Sequence, residues 1–184
     1  MPELPEVETV CIALSKILNN SRVSDIEIFR KDLRWNIKEN LETDLKEKIL
    51  KKPYRRGKYI LIPTSKEHIL LVHLGMSGTI KIKSEEYKVS KHDHVKICIE
   101  TKDNEFLSIV YNDPRRFGYV DFFHKDNIKN HFLLKKLGVE PLEKDFTIHY
   151  LQKKIYKKSK CVKNFLMDQT IIAGIGNIYA SEIL

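Results

Sequence analysis

Residues 69–82 read ILLVHLGMSGTIKI, which is an apolar run, a turn with two glycines and an alternating run. Short runs of this kind, separated by turn residues, are typical of neighbouring β-strands. Comparable runs occur at Val23–Phe29, Tyr59–Pro63, His94–Glu100, Phe106–Tyr111 and Tyr119–Phe123. We therefore expect strands at Ile69–Leu74, at Thr79–Ile82 and at each of these runs, forming a mainly antiparallel β-sandwich.

A helix is expected before the strands. From Val7 to Leu18 the apolar residues follow the i, i+3, i+4, i+7 spacing of an amphipathic helix. Pro5 stands just before it, where a missing backbone N–H costs nothing. The predicted fold class is therefore α+β, with this helix flanking the sandwich.

Helical spacing returns after Pro141, at Ile148–Tyr156, at Cys161–Met167 and from Asn177 onwards. This change of period predicts a sandwich domain at residues 1–145 and a helical domain at 146–184. The last segment stops without a glycine or another cap, so we expect the helical domain to be incomplete.

The composition favours a polyanionic partner. The chain has 184 residues and a formal net charge of +8, which points to nucleic acid before a membrane surface or an acidic protein. The N-terminal sequence MPELPE is acidic, unlike a secretory signal, and no run of about 18 apolar residues could span a bilayer. We expect a cytoplasmic protein.

The three cysteines, Cys11, Cys98 and Cys161, lie far apart and form no Cys-x-x-Cys pair. This spacing predicts neither a disulfide framework nor a zinc knuckle. We expect reduced, mostly buried thiols and no metal or other cofactor in this chain.

The N-terminus carries a possible nucleophile. If Met1 is removed, Pro2 presents a secondary amine, of which roughly a tenth is neutral at pH 7 given a reference pKa of about 7.7 to 8.0. Attack of such an amine on a sugar C1′ gives an iminium intermediate. Taken alone, the motif favours an ordinary Met-Pro start, because such starts are common.

Glu3 and Glu6 place carboxylates within one turn of that amine, where they could transfer protons. The alternative is that Glu6 and Glu8 only interact with the helix dipole. Glu3 precedes Pro5 and is expected outside the helix, which favours a catalytic role for it.

Several segments suit nucleic-acid binding. Arg55-Arg56-Gly57-Lys58 either contacts phosphates or protects a strand edge. The turn 112–118, NDPRRFG, offers arginines that can pair with bases or phosphates and a phenylalanine that can wedge between bases. Met76, in the glycine-rich turn, is either a similar apolar wedge or an ordinary exposed methionine.

A lysine-rich segment precedes the last helix. Residues 151–160 carry five lysines, at 153, 154, 157, 158 and 160. The sequence DQTIIAGIGN at 168–177 then opens onto a helix start, whose free N–H groups would form a phosphate site. This combination predicts contact with the DNA backbone.

Five motifs occur in the order found in formamidopyrimidine-DNA glycosylases: MPELPEVET at 1–9, HLGMSG at 73–78, KHDH at 91–94, DPRRFG at 113–118 and GNIY at 176–179. The chain resembles that family along its whole length. The sister endonuclease VIII branch usually has glycine where Leu4 stands.

The resemblance implies a monomeric base-excision repair enzyme that acts on double-stranded DNA. It would remove oxidised purines such as 8-oxoguanine and formamidopyrimidines, and then nick the strand by β,δ-elimination. Pro2 would be the Schiff-base nucleophile, Glu3 the general acid, Glu6 a supporting carboxylate, and Lys58 a phosphate contact and proton donor.

The resemblance also implies roles in holding DNA. Met76, Arg115 and Phe117 would fill the gap left by an extruded nucleotide. Phosphates would be held by His92, Arg116, Lys158, Lys163 and Asn177. Glu182 would lie near the lesion pocket.

Full-length members of that family complete a helix–two-turn–helix domain and add a four-cysteine zinc finger, which we expect to be missing from this chain. The alternative function is therefore a fragment that binds DNA without turnover. A third reading, a basic protein associated with RNA, predicts no preference for damaged duplex.

Overall fold

A computed structural model describes residues 2–156 and 159–184 of the chain. Its first part contains eight strands: β1 (Arg22–Ile28), β2 (Tyr54–Arg56), β3 (Tyr59–Pro63), β4 (His68–His73), β5 (Thr79–Ser84), β6 (Asp93–Glu100), β7 (Phe106–Asn112) and β8 (Tyr119–His124). They form two four-stranded antiparallel sheets, in the orders β1-β6-β7-β5 and β2-β3-β4-β8. The predicted antiparallel sandwich is confirmed, and the short strand β2 is an addition to it.

The helices are α1 (Leu4–Leu18), α2 (Leu41–Leu45), α3 (Ile148–Ile155), α4 (Val162–Leu166) and α5 (Asn177–Ile183). α1 begins three residues earlier than predicted, so Pro5 lies inside its first turn rather than before it. The first turn has no intrahelical acceptor for its N–H groups, so proline fits there without loss. α2 is an element that the apolar spacing does not predict.

The main core lies where α1 and the two sheets meet. α1 contributes Val7, Cys11, Leu14 and Leu18 at helical spacing, and they pack with residues from both sheets such as Ile60 and Ile99. A second cluster around Leu61 and Leu71 covers the other face of the β2-β3-β4-β8 sheet. None of the helices within residues 2–156 and 159–184 is long and apolar enough to cross a membrane.

The helical part has its own small core, formed around Phe165, Ile172 and Ala180. It is fastened to the start of α1, because the Leu4 N–H donates to the carbonyl of Gly174 at 3.2 Å. Gly174 has φ +95°, and a Cβ there would meet the Leu4 side chain. This close approach sets the spacing between the N-terminus and the loop that precedes α5.

Candidate active site

A cleft of about 960 Å³ opens between the sandwich and the loop that joins α4 to α5. Turns at the ends of β2, β4 and β7 form much of its wall. Five of the predicted site residues line it together: Lys58, Met76, Arg115, Arg116 and Phe117. The fold thus unites three segments that are far apart in the sequence.

Glu3 lies behind this cleft and is fully buried, at the joint between α1 and α5. Its Oε2 accepts hydrogen bonds from the N–H of Gly176 at 2.7 Å and of Tyr179 at 3.3 Å. Its Oε1 accepts one from the N–H of Ile178 at 2.8 Å. Because the first N–H groups of a helix have no partner within it, Glu3 caps α5 from the other end of the chain.

This contact corrects the prediction that the start of α5 offers free N–H groups to a phosphate. The N–H groups of Gly176, Ile178 and Tyr179 already donate to Glu3. The sequence pattern misses this because the acceptor stands 173 positions before Gly176. Asn177 is exposed beside them and can reach a ligand only through its side chain or its own N–H.

Glu6 supports the same corner of the molecule. Its Oε2 accepts the backbone N–H of Glu3 at 2.9 Å, and its Oε1 accepts the hydroxyl of Tyr179 at 3.3 Å. Pro2 is half-buried and bonded directly to Glu3, while Met1 lies outside the described residues. The predicted nucleophile and both predicted carboxylates therefore occupy one corner, at the start of α1.

Lys58 is half-buried in the cleft wall, near that corner. Burial lowers the pKa of its amine below the usual 10.5, although the negative charges of Glu3 and Glu6 act in the opposite direction. The cause is that the partly buried amine is less hydrated than one at the surface. Such a group gives up a proton more readily than a surface lysine does.

Arg55 and Arg56 serve a different purpose from Lys58. Arg55 Nη1 and Arg56 Nη1 bind the two oxygens of Glu140 at 2.5 and 2.6 Å, and Arg55 Nε binds Glu8 at 2.7 Å. The Gly57 N–H also donates to Glu140, at 2.6 Å. The sequence suggested that these arginines either contact phosphates or protect a strand edge. In the structure both belong instead to a mostly buried ion-pair network, which fixes the turn before Lys58.

Glu140 was not predicted as a site residue, because no motif or pattern includes it. Burial would raise the pKa of its carboxyl, but the bonds from Arg55, Gly57 and Arg56 outweigh burial and lower the pKa below 4.5. Glu140 therefore stays ionised at neutral pH. It ties the β2–β3 turn to the segment that leads into α3.

The proposed wedge side chains project from two neighbouring turns. Met76 is 40% exposed and Phe117 is 41% exposed, so both present apolar surface to solvent. The guanidinium carbon of Arg115 lies 4.8 Å from the ring centroid of Phe117. All three border the cleft, so the structure brings them together as the resemblance implies.

The predicted phosphate contacts are spread more widely. Arg116 lines the cleft and pairs with Asp32 at 2.9 Å, while the carbonyl of His92 accepts the N–H of Asp113. Lys163 lies apart, on α4, where its amine donates to Ser181 at 2.8 Å.

Two further residues were predicted to contact DNA or the lesion, Lys158 and Glu182. Lys158 lies outside the described residues. Glu182 is exposed on α5, and it is not one of the described residues that line the cleft.

His73 and Arg34 line the cleft without having been predicted as site residues. Burial, together with the nearby charges of Arg34 and Lys58, lowers the pKa of His73 to about 4. Its ring is therefore neutral at pH 7. Within the described residues, its Nδ1 is a buried side-chain nitrogen without a hydrogen-bond partner. In the sequence, the feature that could have identified His73 as a site residue is its position at the end of an apolar strand.

A resident metal site does not emerge from the described residues. Across 2–156 and 159–184, no three His, Cys, Asp or Glu side chains converge in a way that could hold a metal ion. Cys11 and Cys98 are buried and Cys161 is exposed, each as a free thiol. These residues do not fit the four-cysteine zinc finger, and whether the chain needs any cofactor stays a prediction.

Comparison with known proteins identifies two matching family models. The model of the formamidopyrimidine-DNA glycosylase N-terminal domain matches residues 1–120, and that of the formamidopyrimidine-DNA glycosylase H2TH domain matches residues 137–184. The formamidopyrimidine-DNA glycosylase of Bartonella quintana is 41% identical over 192 residues, and that of Haemophilus influenzae is 42% identical over 184 residues. All of this chain is covered, but it spans only 66% and 65% of those relatives.

Solved structures of a Lactococcus lactis protein are similar along the whole chain. Its formamidopyrimidine-DNA glycosylase, bound non-covalently to DNA with an AP site, matches with a TM-score of 0.90 and 33% identity, over 100% of this chain and 68% of that one. A mutant bound to Fapy-dG-containing DNA matches with the same TM-score and identity, over 66% of its chain. The fold class and the resemblance seen in the motifs are thereby confirmed.

The environment of Lys58 generates a direct prediction. In an NMR titration of the lysine side chains, Lys58 should titrate below pH 10.5, whereas Lys46, whose pKa is raised by Asp25, should titrate above it. Glu6→Gln should lower the pKa of Lys58 further, because it removes a negative charge that raises it. Lys46 should not respond to that change. A Lys58 amine that titrates at or above 10.5 would contradict the site as described.

Proposed function

The chain belongs to the formamidopyrimidine-DNA glycosylase family, and from that premise we propose that it is a DNA-repair glycosylase that excises oxidised purines and then cleaves the strand at the abasic site. The observation that carries this proposal is the corner formed by Pro2, Glu3 and Glu6 beside Lys58. Once Met1 is removed, this corner presents a secondary amine and proton-transferring groups near a cleft lined by cations and exposed apolar side chains. Double-stranded DNA with damaged or abasic sites is the proposed partner.

The first chemical step is proposed for the N-terminal amine. The neutral nitrogen of Pro2 attacks C1′ of the damaged nucleotide while the bond from C1′ to the base breaks and its electron pair leaves with the base. Glu3 is the proposed general acid for this step. This displacement leaves C1′ bonded to both the proline nitrogen, which gives up its N–H proton, and the ring oxygen O4′. Protonation of O4′ and cleavage of the C1′–O4′ bond then open the sugar ring, and because proline is a secondary amine the product is an iminium ion, which withdraws electrons from the sugar.

Strand cleavage follows from that iminium ion. Loss of a proton from C2′ and departure of the 3′ phosphate is β-elimination, and loss of a proton from C4′ with departure of the 5′ phosphate is δ-elimination. Lys58 is the proposed proton donor and phosphate contact in β-elimination. Its lowered pKa supports the role, because a buried ammonium releases its proton more easily.

The damaged nucleotide must leave the base stack before its C1′ can be reached. We propose that Met76, Arg115 and Phe117 occupy the vacated space and offset an unstacking cost of a few kcal/mol. Their exposure and their place beside the cleft support this. That Glu182 lies near the lesion pocket stays a prediction.

The remaining proposed DNA contacts are to phosphates, through His92, Arg116, Lys158, Lys163 and Asn177. The pair between Arg116 and Asp32 is exposed, and such pairs contribute little stability, so a phosphate can replace Asp32 as the partner. The division into domains at 1–145 and 146–184 is likewise our proposal, and so is a monomer. The cytoplasmic location stays a prediction.

The proposed nucleophile is tested by trapping. With borohydride and duplex DNA carrying an abasic site, protein with a free Pro2 should form a covalent adduct, while protein with an N-terminal extension should form none. DNA binding by the extended protein should stay within about twofold. The matched control is a C-terminal extension of equal length. An adduct formed equally well by the N-terminally extended protein would exclude Pro2, and binding without any adduct would favour the DNA-binding fragment.

The proposed backbone contacts are tested by salt. Lys163→Ala should weaken binding to damaged and undamaged duplex alike and should shallow the log–log salt dependence by about one unit, because each contact releases counterions. Phe117→Ala should leave that slope unchanged, since phenylalanine is uncharged. Lys46→Ala is the matched control, because Lys46 is paired with Asp25 outside the cleft. Equal slopes for wild type and Lys163→Ala would remove Lys163 from the proposed contacts.

A further inference from the structure

The proposed wedge side chains are carried by two turns that touch each other. Met76 lies in the turn after β4, while Arg115 and Phe117 lie in the turn after β7. The hydroxyl of Ser77 donates to Asp113 Oδ1 at 2.6 Å and accepts the N–H of Arg115 at 3.1 Å. In the described part of the chain, the two turns are joined by these two hydrogen bonds, and both involve the Ser77 hydroxyl.

The turn after β7 is fixed without help from Ser77. Asp113 is fully buried, and its Oδ2 accepts the N–H of Gly118 at 2.8 Å and the hydroxyl of Tyr111 at 3.1 Å. Its carbonyl is bonded to His94 Nε2 at 2.7 Å. These bonds hold the turn on the sheet, so loss of the Ser77 hydroxyl leaves its internal structure intact.

The turn after β4 has fewer restraints of its own. The N–H of Gly78 donates to the carbonyl of Leu74 at 2.8 Å, which closes the turn. Gly75 has φ +63°, and a Cβ there would clash with the backbone of Phe117 and Gly118. The two turns therefore lie in close backbone contact, and Ser77 sets how one is aligned with the other.

We propose that Ser77 is a positioning residue that couples Met76 to Arg115 and Phe117, so that the wedge enters the DNA as one unit. The proposal rests on the proposed function. Side chains from two turns can fill one gap only if both turns are correctly placed at the same time. A hydrogen bond that already joins the turns in the free protein reduces the conformational entropy lost on DNA binding. Ser77 itself touches neither the reacting atoms nor the phosphates in this account.

The first measurement is the ratio of affinities for lesion-containing and undamaged duplex. Ser77→Ala should lower this ratio about tenfold, which corresponds to about 1.4 kcal/mol. Ser77→Thr keeps a hydroxyl and should hold the ratio within about twofold of wild type. Ser15→Ala is the matched control, because the Ser15 hydroxyl binds only a carbonyl of its own helix among the described contacts. An unchanged ratio in Ser77→Ala would overturn the proposal.

The second measurement separates coupling from ordinary structural support. In the protein with the native Ser77, the fold-loss of lesion affinity in the Met76→Ala/Phe117→Ala double variant should differ strongly from the product of the two single losses. In the Ser77→Ala background, the double variant's loss should equal that product to within about twofold. Fluorescence of 2-aminopurine next to the lesion should report less unstacking for Ser77→Ala. If the coupling between Met76 and Phe117 persisted in the Ser77→Ala background, the Ser77 hydroxyl would serve only as a hydrogen-bond partner for Asp113, and the proposal would be wrong.

Two controls keep these outcomes distinct. Trapping on an abasic single strand, which has no stacked gap to fill, should be the same for Ser77→Ala and wild type. If wild type itself shows neither trapping nor lesion preference, the proposed function fails, whatever Ser77 does. If Ser77→Ala does not fold, Ser77→Cys, with a similar shape and a weak hydrogen-bonding group, should show the same loss of coupling.

Discussion

The rest of the site depends on the hydrogen bonds that the buried carboxylate of Glu3 accepts from the start of α5. Glu3 is the N-cap residue of α1, and its side chain accepts N–H groups from the start of α5. Gly176 has no side chain that could cap α5 itself, and a Cβ at that position would collide with the Glu3 carboxylate. One acidic side chain thus joins the sandwich to the helical part. Because Pro2 is bonded to Glu3, the same contact fixes where the N-terminal amine lies relative to the cleft.

The distribution of charge around the cleft follows from which cations have buried partners. Glu140 holds Arg55 and Arg56 in a mostly buried network, and removing a partner from such a network is costly. Arg115 and Lys58 instead border the cleft, and Arg116 has an exposed partner. Arg55 and Arg56 are therefore committed to Glu140, whereas the cleft is lined by the cations Arg34, Lys58, Arg115 and Arg116.

Local patterns were enough to predict most of the fold and part of the site. Seven strands and the helices α1, α3, α4 and α5 follow from period and turn residues, whereas α2 was not predicted and β2, with three residues, is too short to leave a pattern. The resemblance predicted site roles for Met76, Arg115, Phe117 and Lys58, and these four residues line one cleft, while their roles stay predictions. Partners far apart in the sequence could not be predicted, and this explains why the roles of Glu140 and of the α5 N–H groups were missed. The same limit applies to Ser77, whose partners lie 36 and 38 positions away.

Amide hydrogen exchange in Glu3→Ala tests the central role of the Glu3 carboxylate most directly. The account predicts at least about tenfold faster exchange at Gly176, Ile178 and Tyr179, because their N–H groups lose a buried acceptor. Exchange in the β6–β7 ladder should stay as in wild type, and Glu3→Gln, which retains an acceptor oxygen, should show a smaller effect. Unchanged exchange at the start of α5, or equal acceleration throughout the chain, would contradict the account.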